Sequence, residues 1–304
     1  MTPPTIPPPR ESGFTKTTDV PLHWAKYGPE GADRLLVLHG GPGADYKYLL
    51  PGMLALADRY EMIFYDQRGG GESRTDGRTP ITWHTQVADL DTLVAEFGLE
   101  PLTVVGYSWG ALLAMLYAIE AAAHRTAHSP ARLVLIDPAP VNREYRDRFE
   151  KELARRNAAP TVAKAREKLA ESGLREKDTA AYRERAFVLS VAGYFADPAK
   201  AEDMSPFRVI GRTQNSIWDS LGDFDLLKPN QLDTVSVPTL ITHGNEDPIP
   251  IESSERAALA MGARVVRIPN SGHVPYVEEP RPLFEAIRHF LTNTSDANPR
   301  VPVV

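Results

Sequence analysis

The sequence predicts an α/β protein with a mostly parallel central sheet and an inserted helical cap. Three observations carry that expectation. Short apolar, β-branched runs alternate with helical patterns; each run ends in a loop holding Gly, Asp, His or Ser; and the alternation breaks once, between residues 141 and 233. Such alternation marks βα units on a parallel sheet, whose strands are almost continuously apolar because helices cover both faces. At 304 residues the chain is long for one ordinary domain and suits a core with an insertion.

Taken in order, residues 1–11 contain MTPPTIPPPR, rich in proline and polar side chains, and are expected to form a tail. The core then occupies 12–140. Within it RLLVLHG, YEMIFYDQRG, LTVVGYS and ARLVLIDPA read as strands running into loops. From residue 141 to 233 come charged helical stretches, EYRDRFEKELARR and TVAKAREKLAESGLREKD, then the more apolar AFVLSVAGYFADP. This is the expected cap. The core resumes over 234–294 with PTLITHGNED and ARVVRIPNSGH, and 295–304 form a second tail. In open parallel sheets ligands bind beyond the carboxyl ends of the strands, where HGGPG, DQRG, GYSWG, NED and SGH all fall.

Composition narrows the chemistry. Hydrophobic residues at 42% and charged residues at 24% are those of an ordinary globular protein. The net charge of -6, with no long Lys/Arg cluster, argues against nucleic-acid or anionic-membrane partners and leaves a small molecule or short peptide. With no cysteine, disulfides, thiolate metal sites and a cysteine nucleophile are excluded. The N-terminus has no apolar stretch of signal length. The longest apolar run, Ala111 to Ile119, is about half of what a bilayer crossing requires, so a cytoplasmic protein is expected.

Gly106-Tyr107-Ser108-Trp109-Gly110 has the G-x-S-x-G form, follows LTVV and precedes ALLAMLYAI: the strand, sharp turn and helix that expose a nucleophilic serine. A serine hydroxyl needs an adjacent base that is itself oriented by a third group. His273, in NSGHVP after the last strand, is the candidate base. His289 lies within the terminal helix, and His124 and His128 lie in a polar connection. The acid is Asp247 in GNEDP, preferred over Glu246 because a short aspartate before proline is held in an extended turn. Asp137, ending the earlier strand, is the rival. An oxyanion forming on the substrate needs two N–H donors, expected from Trp109 and from Gly41 of HGGPG, with Gly40 as the fallback. His39 reads as structural. DQRGGGES lacks both the Lys-Ser/Thr of a phosphate loop and the spacing of a dinucleotide site, and reads as a turn.

Together HGGPG, DQRGGGES, GYSWG, GNEDP and SGHVPYVEEP resemble the proline iminopeptidases and their relatives, over nearly the whole chain outside the cap. The resemblance implies the α/β-hydrolase fold and release of an N-terminal residue, typically proline, with Ser108 as nucleophile, His273 as base and Asp247 as its orienter. It implies no metal or organic cofactor. Two positions depart from the family. Tyr107 stands where the family usually has Gly. In the cap, a glutamate that binds the substrate's amine is expected three residues before a Tyr-Phe pair, and Val191 stands there, before Tyr194-Phe195. Glu184, Glu202, Asp203 and Asp219 are other cap acids available for the role. Because an unpaired buried ammonium costs several kcal/mol, the departure opens the alternative of a carboxylesterase or lactonase acting on uncharged acyl groups. A non-catalytic ligand-binding relative is the third reading.

Overall fold

The computed structural model describes residues 6–293, so the expected tail over 295–304 and the start of the N-terminal one lie outside the described residues. An eight-stranded sheet has the order β1-β2-β4-β3-β5-β6-β7-β8. Its first two strands, β1 (Glu11–Phe14) and β2 (His23–Tyr27), pair antiparallel, and β2 pairs antiparallel with β4 (Glu61–Tyr65). The remaining strands β3 (Arg34–Leu38), β5 (Leu102–Tyr107), β6 (Pro130–Ile136), β7 (Thr239–Gly244) and β8 (Arg264–Ile268) run parallel with β4. The six sequence runs correspond to β3–β8; β1 begins at Glu11, one residue inside the expected tail.

Helices pack on both faces of the sheet, and the apolar run Ala111–Ile119 belongs to one of them. This helix, α2 (Trp109–Ala122), follows α1 (Trp83–Phe97) and is buried from Trp109 through Ile119. Burial all round explains why its sequence shows no polar face. Among the described residues no helix is long and apolar enough to cross a membrane.

Between β6 and β7 the chain runs through helices with no strand among the described residues. The longer ones are α3 (Arg143–Asn157), α4 (Pro160–Glu171), α5 (Thr179–Val191) and α6 (Gly211–Leu221). α3 is capped by Asn142, whose side chain accepts from the Tyr145 N–H, and α5 by Asp178, which accepts from the N–H groups of Ala180 and Ala181. This segment is tied to the sheet at the loops that carry the chemistry. The Ile210 N–H donates to the Gly43 carbonyl at 3.0 Å, and the Thr213 hydroxyl to the Gly69 carbonyl at 2.8 Å.

Candidate active site

Each parallel strand ends at a residue singled out by the sequence. His39 follows β3, Asp66 follows β4, Ser108 follows β5, Asp137 follows β6, and Asp247 and His273 lie in the loops after β7 and β8. Because those strands run in register, their carboxyl ends converge on one edge.

The turn at Ser108 is sharp. Its φ of 53° and ψ of −116° are rare for a residue with a side chain. Gly106 and Gly110 allow it: a Cβ on Gly106 would stand 2.5 Å from the Gly110 carbonyl oxygen, and one on Gly110 would stand 2.2 Å from that of Leu38. The turn is fixed by the Ser108 N–H donating to the Ile136 carbonyl at 2.9 Å and by the Ala139 N–H donating to the Ser108 carbonyl at 3.0 Å.

Ser108, His273 and Asp247 form one hydrogen-bonded chain. Ser108 Oγ lies 2.9 Å from His273 Nε2, and His273 Nδ1 lies 2.8 Å from Asp247 Oδ2. A neutral ring that donates from Nδ1 to the carboxylate leaves Nε2 free to accept from the serine. Asp247 is buried, and its Oδ1 accepts from the Ile249 N–H at 2.7 Å. Burial on its own would raise this carboxyl. The electrostatic attraction and hydrogen bond of the His273 ring, together with the nearby His243 and the Ile249 N–H, outweigh it and hold Asp247 below its ordinary value. Glu246, the neighbouring acid, is exposed.

The loop after β3 distinguishes the two candidate glycine donors. The Gly40 N–H is already engaged, donating to Tyr48 Oη at 2.9 Å. The N–H groups of Gly41 and Trp109 have no hydrogen-bond partner among the described residues. That of Trp109 is free because it opens α2, where the first N–H groups have no carbonyl a turn behind them.

His39 is wholly buried. Its Nδ1 faces the Gly40 carbonyl at 2.9 Å and its Nε2 accepts from the Gln67 N–H at 3.1 Å; burial pushes it down, so the ring is neutral. Gln67 extends this framework, donating to the His39 carbonyl and accepting from Trp109 Nε1. DQRG is a turn built on buried groups. Asp66 accepts from the Tyr46 and Glu72 N–H groups, and Arg68 forms a two-pronged pair with Asp89 at 2.7 and 2.5 Å. Of the other histidines, His124 and His289 are exposed, and His128 pairs with Glu100.

Two supports of His273 were not readable as such from the sequence. Tyr107, the departure from the family pattern, donates its hydroxyl to the His273 carbonyl at 2.9 Å and sets its ring 5.4 Å from the imidazole. Glu278 is buried and collects three N–H groups: Gly272 at 2.6 Å, Ala196 at 2.9 Å and Asp197 at 3.3 Å. It thereby joins the histidine loop to the segment after α5, where the Tyr194 carbonyl accepts from the His273 N–H at 2.7 Å. Glu278→Ala would strip the buried Gly272 N–H of its acceptor at about 1–3 kcal/mol, and the part-buried Ala196 and Asp197 N–H groups of theirs at less. The expected result is a clear fall in Tm, measured by thermal unfolding, with Glu278→Gln falling less because its amide oxygen still accepts.

At the position of the expected amine anchor, Val191 is buried in the same apolar cluster as Phe195, Ala201 and Met204. The other cap acids, Glu184, Glu202, Asp203 and Asp219, are all exposed, and Glu202 is paired with Arg185. Beside Gly41 the surroundings are apolar. A Cβ there would lie 3.7 Å from Val209 and 4.0 Å from Phe207, whose ring stacks on Tyr48 at 4.3 Å and meets Phe187 at 5.3 Å.

Residues 35–286 match the alpha/beta hydrolase family. The chain belongs to that family. Among curated proteins it is similar to the proline iminopeptidase of Heyndrickxia coagulans, 25% identical over 92% of this chain and 98% of that one. Among solved structures it shares its fold with the proline iminopeptidase of Mycobacterium smegmatis (TM-score 0.66, 20% identity, 92% of this chain and 97% of that one). It also shares it with the enol-lactonase of Burkholderia xenovorans LB400 (TM-score 0.62, 21% identity, 92% of this chain and 100% of that one). Family membership makes this alpha/beta hydrolase a hydrolase with proline iminopeptidase relatives.

Proposed function

We propose that the protein is a serine hydrolase that cleaves an ester or amide bond through an acyl-enzyme. The observation that carries this reading is the continuous Ser108–His273–Asp247 hydrogen-bond chain beside the unpaired N–H groups of Trp109 and Gly41. Ser108 Oγ attacks the substrate carbonyl while His273 Nε2 takes its proton. The oxyanion settles between the two N–H donors, and the imidazolium is steadied by Asp247. His273 then gives the proton to the leaving group, and a water activated by the same nitrogen releases the acid. Gly40 takes no part as a donor, since its N–H is held by Tyr48.

The acyl group divides the reading. Whole-length similarity to proline iminopeptidases supports an N-terminal residue carrying a free amine. The buried Val191 and the apolar Val209–Phe207–Tyr48 surroundings of Gly41 favour an uncharged acyl group, and this is the reading we adopt.

Two anilides with one leaving group separate them: L-prolyl p-nitroanilide, and cyclopentanecarbonyl p-nitroanilide, which keeps the ring and lacks the amine. An ammonium buried without an anchor costs several kcal/mol, and each 1.4 kcal/mol is tenfold. The expected result is therefore a kcat/KM about a hundredfold or more higher for the uncharged substrate, together with turnover of p-nitrophenyl butyrate. A prolyl substrate preferred by a similar factor overturns the uncharged-acyl reading and requires an amine anchor elsewhere in the helical segment.

A further inference from the structure

Behind the His273–Asp247 pair stands a carboxyl group that the proposed reaction does not use. Asp137 directly follows β6, with no solvent exposure and a φ of 43°, a backbone state that a side-chain-bearing residue adopts at a cost. Its N–H continues the ladder to the Thr242 carbonyl at 2.9 Å, and its Oδ1 accepts from the Gly244 N–H at 2.8 Å. Its Oδ2 is buried and has no hydrogen-bond partner. One carboxylate oxygen of Asp137, one of Asp247 and a ring nitrogen of His273 all lie within 4.8 Å of one another.

The neighbours leave one arrangement of protons. No basic side chain forms an ion pair with Asp137 among the described residues. His243, 4.0 Å from Asp247, is occupied by the Ser254 hydroxyl and the Ile249 carbonyl and is kept neutral by burial. Glu278 is taken by its three N–H donors. The Nδ1 proton of His273 is directed at Asp247. Two buried carboxylates this close, with no cation between them, cannot both be ionised. Asp247 is the one addressed by His273 and by the Ile249 N–H, so the proton belongs to its neighbour.

We propose that Asp137 is a positioning residue of the active site: its carboxyl keeps a proton and donates it to the Asp247 carboxylate, holding that group against His273. This rests on the reading of Ser108, His273 and Asp247 as the catalytic groups. It gives the unpartnered Oδ2 a function and leaves one negative charge, not two, behind the imidazole. Burial first, and the Asp247 charge second, push Asp137 well above the ordinary carboxyl range, in keeping with that assignment.

The test uses Asp137→Asn, which stays neutral, can accept from Gly244 and can donate to Asp247, and Asp137→Gly, which tolerates the positive φ and can do neither. The expected result is that the Asn variant keeps kcat close to wild type with the acid limb of its kcat/KM pH profile unmoved. The Gly variant should lose about a hundredfold in kcat, as misplaced catalytic groups do, with KM little changed and that limb displaced. A second readout needs no activity. A carboxyl raised in the folded state binds more protons folded than unfolded, so it costs stability as pH rises above its ordinary value. The Asn variant lacks this cost, and its Tm advantage over wild type should widen with rising pH above the ordinary carboxyl range. An Asn variant as slow as the Gly variant, or a Tm difference independent of pH, means an ionised Asp137 and overturns the proposal. So does a Gly variant with undiminished kcat. Failure of the hydrolase reading would be seen separately, as activity surviving Ser108→Ala, and leaves the stability readout intact.

Discussion

Ser108→Ala should lower kcat by about 10⁴–10⁶-fold on any substrate the enzyme turns over, with little change in KM, because removing the proposed nucleophile would disable its base as well. The hydroxyl is 2.9 Å from His273 Nε2 and has no other hydrogen-bond partner among the described residues, so its loss removes the attacking atom and leaves only His273 Nε2 without its partner. What remains is the contribution of substrate binding and of the Trp109 and Gly41 N–H groups, which still meet the polarised carbonyl. Stability should hardly move: alanine at a φ of 53° carries the same backbone strain as serine, and the Ser108 N–H and carbonyl bonds that fix the turn are untouched. Stopped-flow or steady-state rates beside a thermal melt check both halves. A variant that melts like wild type and hydrolyses like wild type would remove Ser108 from the reaction.

Ser108, Asp247 and His273 could be found in the sequence because turn chemistry constrains their neighbours. A serine at an obligatory sharp turn needs small residues at 106 and 110, where a Cβ would strike backbone. Loops after apolar strands leave Gly, Asn and Pro around Asp247 and His273. β1 and β2 were harder to see. β1 is largely exposed and β2 only five residues long, so ESGF and HWAKY carry no continuous apolar run. The supports of His273 were hidden for a different reason. Tyr107 and its carbonyl partner are 166 residues apart, and Glu278 binds the neighbouring N–H groups of Ala196 and Asp197 some 80 positions away. Backbone amides have no signature in a sequence. The Tyr107 substitution was visible, but its purpose became visible only when β5 met the histidine loop. The glycine donors illustrate the same limit: Gly40 and Gly41 are alike in the motif, and only the Tyr48 hydroxyl, eight residues on, distinguishes them.

Asp247→Asn is expected to cost about 10⁴-fold in kcat, close to the loss of the base itself, since the carboxylate selects the ring form in which Nε2 can accept a proton. An asparagine amide can present an N–H to His273 Nδ1, which moves the ring proton to Nε2 and points it at Ser108 instead of receiving from it. The geometry would survive while the chemistry fails, so KM should change little. The stability consequence has a definite sign. Asp247 is held below its ordinary value in the folded protein, so the unfolded chain binds more protons there, and the stability this provides is present at neutral pH and lost as pH falls through the depressed value. The variant should therefore melt below wild type at neutral pH, with the gap closing in acid. Burial, the larger cause of the raised Asp137 carboxyl, persists in this variant, but the Asp247 charge is gone, so Asp137, within 4.8 Å of His273, ionises more readily than in wild type. Activity left in Asp247→Asn and abolished in the Asp247→Asn, Asp137→Asn double variant would then trace the residual rate to that second carboxyl. Equal residual rates in the two would assign it to the oxyanion donors alone.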